Sequence, residues 1–235
     1  MATKLFPKLK NRRICLDIGA NIGNHALVFA DHFDRVEAFE VNPRTFKLLS
    51  FNAELNEAIH PHNIGVSDSK GEMIGQGTMR NMASFSLEPG WTPEVNQSMT
   101  VEVDRLDDML TDEQQSQVDF VKIDIEGHEP AALRGAADFL TRHSPVITIE
   151  IDKSLVENGQ TTATQMLNEY GYVYAYEMAD ESFLGRLPSV LRKLGSTLGA
   201  VFLNRRHKPH LVLRKIDRLQ RKSYSLAIYS KYPLD

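Results

Sequence analysis

Four short runs rich in branched and aromatic residues recur between stretches of helical periodicity: 13–18 (RICLDI), 35–40 (RVEAFE), 118–125 (VDFVKIDI) and 145–151 (PVITIEI). Such runs suit strands buried on two faces. Strands that alternate with helices run parallel, because each helix carries the chain back to the same edge of the sheet. Helices are expected over 23–32, 42–55, 131–143 and 161–170. The second of these has Pro43 in its first turn, where a missing N–H costs nothing, and sets Phe46, Leu49 and Ala53 on one face. Further strands are expected at 62–66, 101–103, within GYVYAYEM and at 223–230, whereas 67–97, rich in Gly, Ser, Met and Pro, reads as a long irregular excursion. The fold class is α/β, Rossmann-like: a mainly parallel, doubly wound sheet with a C-terminal antiparallel hairpin. Ligands of such sheets bind outside the carboxyl ends of the strands.

A chain of 235 residues, 42% hydrophobic and 25% charged, has room for one sizeable core. No apolar run reaches transmembrane length, and MATKLFPKLKNRR lacks the apolar centre of a signal peptide, so a cytoplasmic location is expected. The single cysteine, Cys15, excludes an internal disulfide and a Cys-rich zinc site, and reads as a small core residue. Charge is uneven: residues 183–235 hold 12 Lys and Arg against 2 Asp and Glu, leaving 15 against 29 in the rest. The expected division is a core over 1–182, a basic helical insertion over 183–222 and a closing strand over 223–235. Leu187, Val190, Leu191, Leu194 and Leu198 recur at helical spacing beside basic residues. That pattern fits an anionic membrane surface at the inner face, a homodimer contact, or packing on the acidic body; no nucleic-acid partner is expected.

The turn after the first strand, Gly19-Ala20-Asn21-Ile22-Gly23, departs from the dinucleotide fingerprint G-x-G-x-x-G by placing Asn at the middle glycine and at the third. Asp17 adds a carboxylate, which repels a phosphate but suits a ligand carrying an ammonium and a sulfonium, as S-adenosylmethionine does. Glu40 ends the second strand about twenty residues later, where an acidic side chain accepts the ribose hydroxyls of an adenosine.

LDIGANIGNHALVFA, VEAFEVNPRTFKLLSFNAELN, IGVSDSKGE, VDRLDDML and VDFVKIDIEGHEPAALRGA resemble, in order, the successive blocks of the FkbM-type S-adenosylmethionine-dependent methyltransferases. The resemblance covers roughly three quarters of the chain, and the last block is its most specific part. It implies a class I methyltransferase fold in which Asp17, Gly19, Ala20, Asn21 and Gly23 form the methionine-side loop. Glu40 with Val41 would meet the ribose, Val66, Ser67 and Asp68 would wall the adenine, and Asp124 would stand beside the transferred methyl. His128 departs from the family, which often has a small residue there, and the tail after Tyr176 does not align.

Glu126, His128 and Glu150 are the candidate catalytic residues, because the ends of the fourth and fifth parallel strands share an edge with the Asp17 turn. A hydroxyl becomes a useful nucleophile when a base takes its proton, and His128 titrates nearest neutral pH, with Glu126 to orient or replace it. Lys122 within the strand needs a partner if buried. Oxygen-rich ligands would suit magnesium, but the spacing matches no metal-loop template and no metal ligands are assigned. The segment 75–97, with Met79, Arg80, Met82, Phe85 and Trp91, has the composition of a binding loop that folds over the cofactor site, and Trp91 is either a platform for a sugar ring or an anchor for that loop. The expected function is O-methylation of a sugar hydroxyl in a polysaccharide, glycolipid or secondary metabolite. The rivals are a nicotinamide-dependent oxidoreductase and a non-catalytic cofactor-binding module that docks to an anionic surface.

Overall fold

The computed structural model describes residues 2–78, 84–91, 95–180, 211–220 and 222–234. A short helix α1 (Ala2–Leu5) leads into β1 (Ile14–Ile18), α2 (Asn24–Ala30), β2 (Arg35–Phe39), α3 (Pro43–Ala53) and β3 (Ile59–His62). There follow β4 (Gly65–Val66), β5 (Gly71–Gly77), β6 (Gln97–Asp104), α4 (Leu106–Met109), α5 (Asp112–Gln117) and β7 (Val118–Ile123). The described chain continues through α6 (Glu129–Arg134), α7 (Ala137–Arg142), β8 (Val146–Ile151), α8 (Thr162–Glu169), β9 (Tyr174–Asp180), β10 (Leu211–Ile216) and β11 (Tyr224–Ser230).

Eight strands form the main sheet in the order β10-β9-β11-β8-β7-β1-β2-β3. From β8 to β3 all neighbours are parallel; β11 runs antiparallel to β8 and β9, and β10 antiparallel to β9. The period of two along β1 explains why this strand is apolar throughout. Ile14, Leu16 and Ile18 pack with Val121, Ile123 and Leu133 on one face, while Cys15 joins Ala26, Phe29 and Phe120 on the other. On that second face Phe6, Phe29, Phe33 and Phe120 meet at centroid separations of 5.0 to 6.5 Å, mostly edge to face, which adds about 1 kcal/mol per pair to the burial of their area. Cys15 is a buried free thiol.

Asn42 caps α3 by accepting from the Arg44 amide at 3.0 Å, and Pro43 follows at the first position, so this helix begins where its sequence requires. Four expectations need correction. The strand expected at 62–66 is two pieces in different sheets, β3 and β4, with the Asn63 amide group turned back to the carbonyl of Glu40 at 2.8 Å. The excursion expected over 67–97 contains β5, and the short strand at 101–103 extends to the eight-residue β6; with β4 they make a separate three-stranded sheet, order β4-β6-β5. Glycines hid β5: a Cβ on Gly75 would fall 2.1 Å from the Phe85 ring, so the strand is stripped of side chains where that ring packs. The helix at 131–143 is interrupted at Gly135 and Ala136, where the Gly135 carbonyl accepts from the Asp107 amide.

Of the segment 183–222, residues 183–210 and 221 lie outside the described residues, as do Met79, Arg80 and Met82. Its described part is strand, β10, rather than helix. There Arg214 pairs with Glu177, Lys222 Nζ reaches the same carboxylate at 2.6 Å, and Lys215 lies over the Tyr174 ring. These cations are spent on the body of the molecule. Among the described residues no helix is long and apolar enough to cross a membrane.

Candidate functional site

Strand order reverses between β1 and β7, both of which end in the same loop cluster, and a cavity of about 590 Å³ opens there. The turn after β1 forms one side. Gly19 and Asn21 have φ of 78° and 53°, and a Cβ on Gly19 would fall 1.9 Å from the Asp124 carbonyl, so glycine alone lets the turn seat on the end of β7. Asn tolerates the left-handed conformation better than most side chains, which accounts for Asn21 at the middle position. The amides of this turn are already used: Gly19 and Ala20 donate to the Phe39 carbonyl at 3.0 and 2.9 Å, Asn21 to Glu40, and Gly23 to Ala20. None of these four is left to cradle a pyrophosphate, which disfavours the dinucleotide reading.

Glu40 is buried at the end of β2 beside this turn, its Oε1 accepting from the Asn42 amide at 2.8 Å and its Oε2 from the Asn21 amide at 2.9 Å. Burial pushes its carboxyl up to about 7 against those two hydrogen bonds. Each oxygen keeps a further lone pair for a donor in the cavity. Val41 and Val66 line the wall, with Phe39, Ile64, Phe85 and Leu87 adding apolar surface. Ser67 is buried and turned to His128, and Asp68 is held by Arg134 Nε at 2.9 Å, outside the cavity wall.

Asp17 is fully buried and does not line the cavity. Its Oδ1 stands 3.0 Å from Lys122 Nζ, its neighbour in register on β7, and Lys122 also donates to the Gly19 carbonyl at 3.1 Å and lies 3.4 Å from Asp124. Burial opposes the lysine charge, but the two aspartates outweigh it and leave its pKa raised. Lys122 thus ties β1, the turn and β7 together, and its own side chain reaches the cavity.

At the ends of β7 and β8 the carboxylates crowd. Burial together with the neighbouring Asp124 raises Glu150 well above the carboxylate range, while burial of Asp124 is outweighed by the Lys122 charge and the hydrogen bonding of its neighbours together, which lower it. Glu126 has φ of 54°, a left-handed conformation rare outside glycine and asparagine, and accepts from Trp91 Nε1 at 3.0 Å. Burial raises its pKa. His128 is buried with both ring nitrogens engaged: Nε2 meets Ser67 Oγ at 3.0 Å and Nδ1 meets Glu88 Oε1 at 2.6 Å.

The segment 84–91 therefore straps over the cavity through Glu88 to His128, Trp91 to Glu126 and Ser86 Oγ to the Glu126 carbonyl at 2.6 Å. Trp91 packs on Gly127 and serves as the anchor of its loop. Phe85, in the expected binding loop, lines the cavity, as do Lys122, His25 and Leu87, which were not expected there. Only Lys122 had a signal, a cation inside an apolar strand. Among the described residues no group of three His, Cys, Asp or Glu is placed to hold a metal ion.

The profile of the methyltransferase FkbM domain matches residues 17–174. Hexuronic acid methyltransferase AglP of Haloferax volcanii is 30% identical over 178 residues, which cover 70% of each chain. Among solved structures, methyltransferase FkbM of Methylobacillus flagellatus matches with a TM-score of 0.44 and 16% identity, covering 93% of this chain and 43% of that one. This chain thus spans less than half the length of that protein. SMU.1697c of Streptococcus mutans, solved in complex with SAH, matches with a TM-score of 0.46 and 8% identity over 96% of this chain and 93% of that one. With a family profile that spans two thirds of its residues and a relative at this identity, the chain belongs to the FkbM methyltransferase family.

Proposed function

We propose that the protein transfers the methyl group of S-adenosylmethionine to a hydroxyl oxygen of a sugar. The observation that carries this reading is Glu40, a buried carboxylate fixed by two backbone amides and lining the same cavity as the Gly19 turn. The donor set fits the cofactor. Apolar Phe39, Val66, Phe85 and Leu87 suit a purine, Glu40 suits vicinal ribose hydroxyls, and the acidic end of β7 suits an ammonium and a sulfonium. The Haloferax relative, named for a hexuronic acid, supports a sugar as acceptor.

The cofactor supplies an electrophilic methyl, which passes in line to the acceptor oxygen as the thioether departs. Asp124, ionised beside Lys122, holds the positive end of the site. Asp17 positions the turn from behind the cavity wall, and Lys122 does so from within that wall. Glu150, once ionised, accepts the hydroxyl proton; its raised pKa makes it a stronger base than an ordinary glutamate. Glu126 lines the acceptor side, and His128 acts through Ser67 and Glu88 as a strut beneath the strap.

Calorimetry with S-adenosylmethionine and with NAD tests the cofactor, and mass spectrometry of glycan extracts incubated with protein and cofactor tests the transfer. A gain of one methylene on a sugar is the expected product; tight NAD binding without S-adenosylmethionine binding would overturn the proposal.

A further inference from the structure

A second cavity, about 370 Å³, lies beside the first, and Glu150 lines both. It is bounded by the Gly127 turn and the start of α6, by the end of β8, and by residues 154–165 up to the first turn of α8. A group that faces both chambers stands where the two reactants of a transfer meet. The lining of the second chamber combines carboxylate, amide and hydroxyl groups from Glu150, Glu157, Gln160, Ser154 and Thr162 with one exposed apolar side chain, Leu155. Hydrogen-bonding groups on several sides and an apolar step suit a pyranose, which has hydroxyls at its rim and C–H groups on its face.

Its charge is one-sided. Glu129, Glu150 and Glu157 line it, and no Lys or Arg does so among the described residues. Glu126 stands beyond it in the first chamber, where Asp124 is paired with Lys122. The helix start at α8 does little to offset the one-sided charge, because Thr161 and Thr164 each accept the other's amide and close two of its N–H groups. An acceptor bearing a carboxylate would enter a chamber walled by acidic side chains, with Glu157 exposed at its outer wall, and would meet no cation among the described lining residues.

We propose that the second cavity is the acceptor subsite and takes an uncharged, polyhydroxylated sugar in preference to a hexuronic acid. This rests on the reading of the first cavity as the S-adenosylmethionine site, and it separates this chain from its Haloferax relative in acceptor chemistry. Glu150 then presents the sugar hydroxyl toward the methyl, and Glu157, exposed and away from the reacting atoms, sets the charge of the outer wall.

The test uses the full chain saturated with S-adenosylhomocysteine, whose binding is first measured by calorimetry. Saturation-transfer NMR then compares methyl glucoside with methyl glucuronide. The glucoside is expected to bind at least about fivefold more tightly, the order of effect of one added charge at a half-exposed acidic site. Glu157→Lys is expected to narrow that gap by raising glucuronide affinity, with S-adenosylhomocysteine affinity unchanged. Equal or tighter glucuronide binding by the unaltered protein overturns the inference, as does binding of neither sugar when S-adenosylhomocysteine is bound. Absence of S-adenosylhomocysteine binding overturns instead the reading of the first cavity, and this inference with it.

Discussion

The two ends of the main cavity are built differently. At the end formed by β1 and β2, backbone groups hold the polar groups that face the cavity: Glu40 by the amides of Asn21 and Asn42, the turn by the Phe39 carbonyl. At the end formed by β7 and β8, side chains hold side chains over long separations. Trp91 grips Glu126, Glu88 grips His128, and Asp124 and Glu150 crowd one another. A backbone cradle is set once the strands pair, and it binds the same ligand in every state of the loops. A side-chain lattice that includes a crowded carboxylate pair costs stability but responds to pH and to what enters. The first arrangement suits a constant cofactor and the second suits a reaction.

The largest effect is expected at the seam between the two ends. Lys122→Met leaves Asp17 buried without its cation, and should destabilise the fold by about 3–5 kcal/mol, read as a lower urea midpoint. Adding Asp17→Asn to that variant should recover much of the loss. Should the single variant lose less than about 1 kcal/mol, the two ends are not joined through this pair. Next in size is chemistry at the β8 end. Glu150→Gln should lower turnover about 100-fold with little change in cofactor affinity. Turnover by the unaltered protein should rise with pH well above the usual carboxylate range as Glu150 ionises; an acid limb that survives in Glu150→Gln would place the base elsewhere.

Glu40→Ala should have the opposite profile, weakening cofactor binding by about 1.5–3 kcal/mol through loss of a charged acceptor. Its pKa also gives a sign. Because the folded state raises Glu40 to about 7, the fold favours its protonated form; the contribution is present in acid and lost as pH rises from the ordinary glutamate range through about 7. Without ligand, Glu40→Gln should therefore lose less melting temperature over that interval than the unaltered protein. An identical pH profile in the two would mean that Glu40 is more solvated than its burial indicates.

The same contrast governs what could be read from the sequence. Strands β1, β2, β7 and β8, the α3 cap and the Glu40 position were legible because periodicity, Asn42-Pro43 and the Gly-Asn-Gly turn act over a few residues. Strand β5 was not, since GEMIGQG owes Gly75 and Gly77 to Phe85, a contact between separate segments. His128 reads locally as the group best placed to titrate, yet its partners Ser67 and Glu88 are 61 and 40 residues away. Asp17 reads as a ligand contact from its place before the turn. Its burial against Lys122 depends on which strand lies beside β1, and sequence spacing does not encode that.

The smallest expected effect tests whether the strap belongs to the reactive end. Trp91→Phe keeps a ring against Gly127 but removes the Nε1 donor to Glu126, a bond worth about 1–2 kcal/mol when its acceptor is charged. That bond lowers the pKa of Glu126 against burial, so its loss should let Glu126 rise further. The strap keeps two other ties, Glu88 to His128 and Ser86 to the Glu126 carbonyl, so global stability should fall by no more than about 1 kcal/mol. Phe85 and Leu87 of the same segment line the main cavity, and on the proposed reading a loosened strap should raise the KM for S-adenosylmethionine a few-fold while kcat falls less. A fall in kcat with KM untouched would show that Trp91 acts on the acceptor through Glu126 alone, and that the two ends of the cavity are not coupled by the strap.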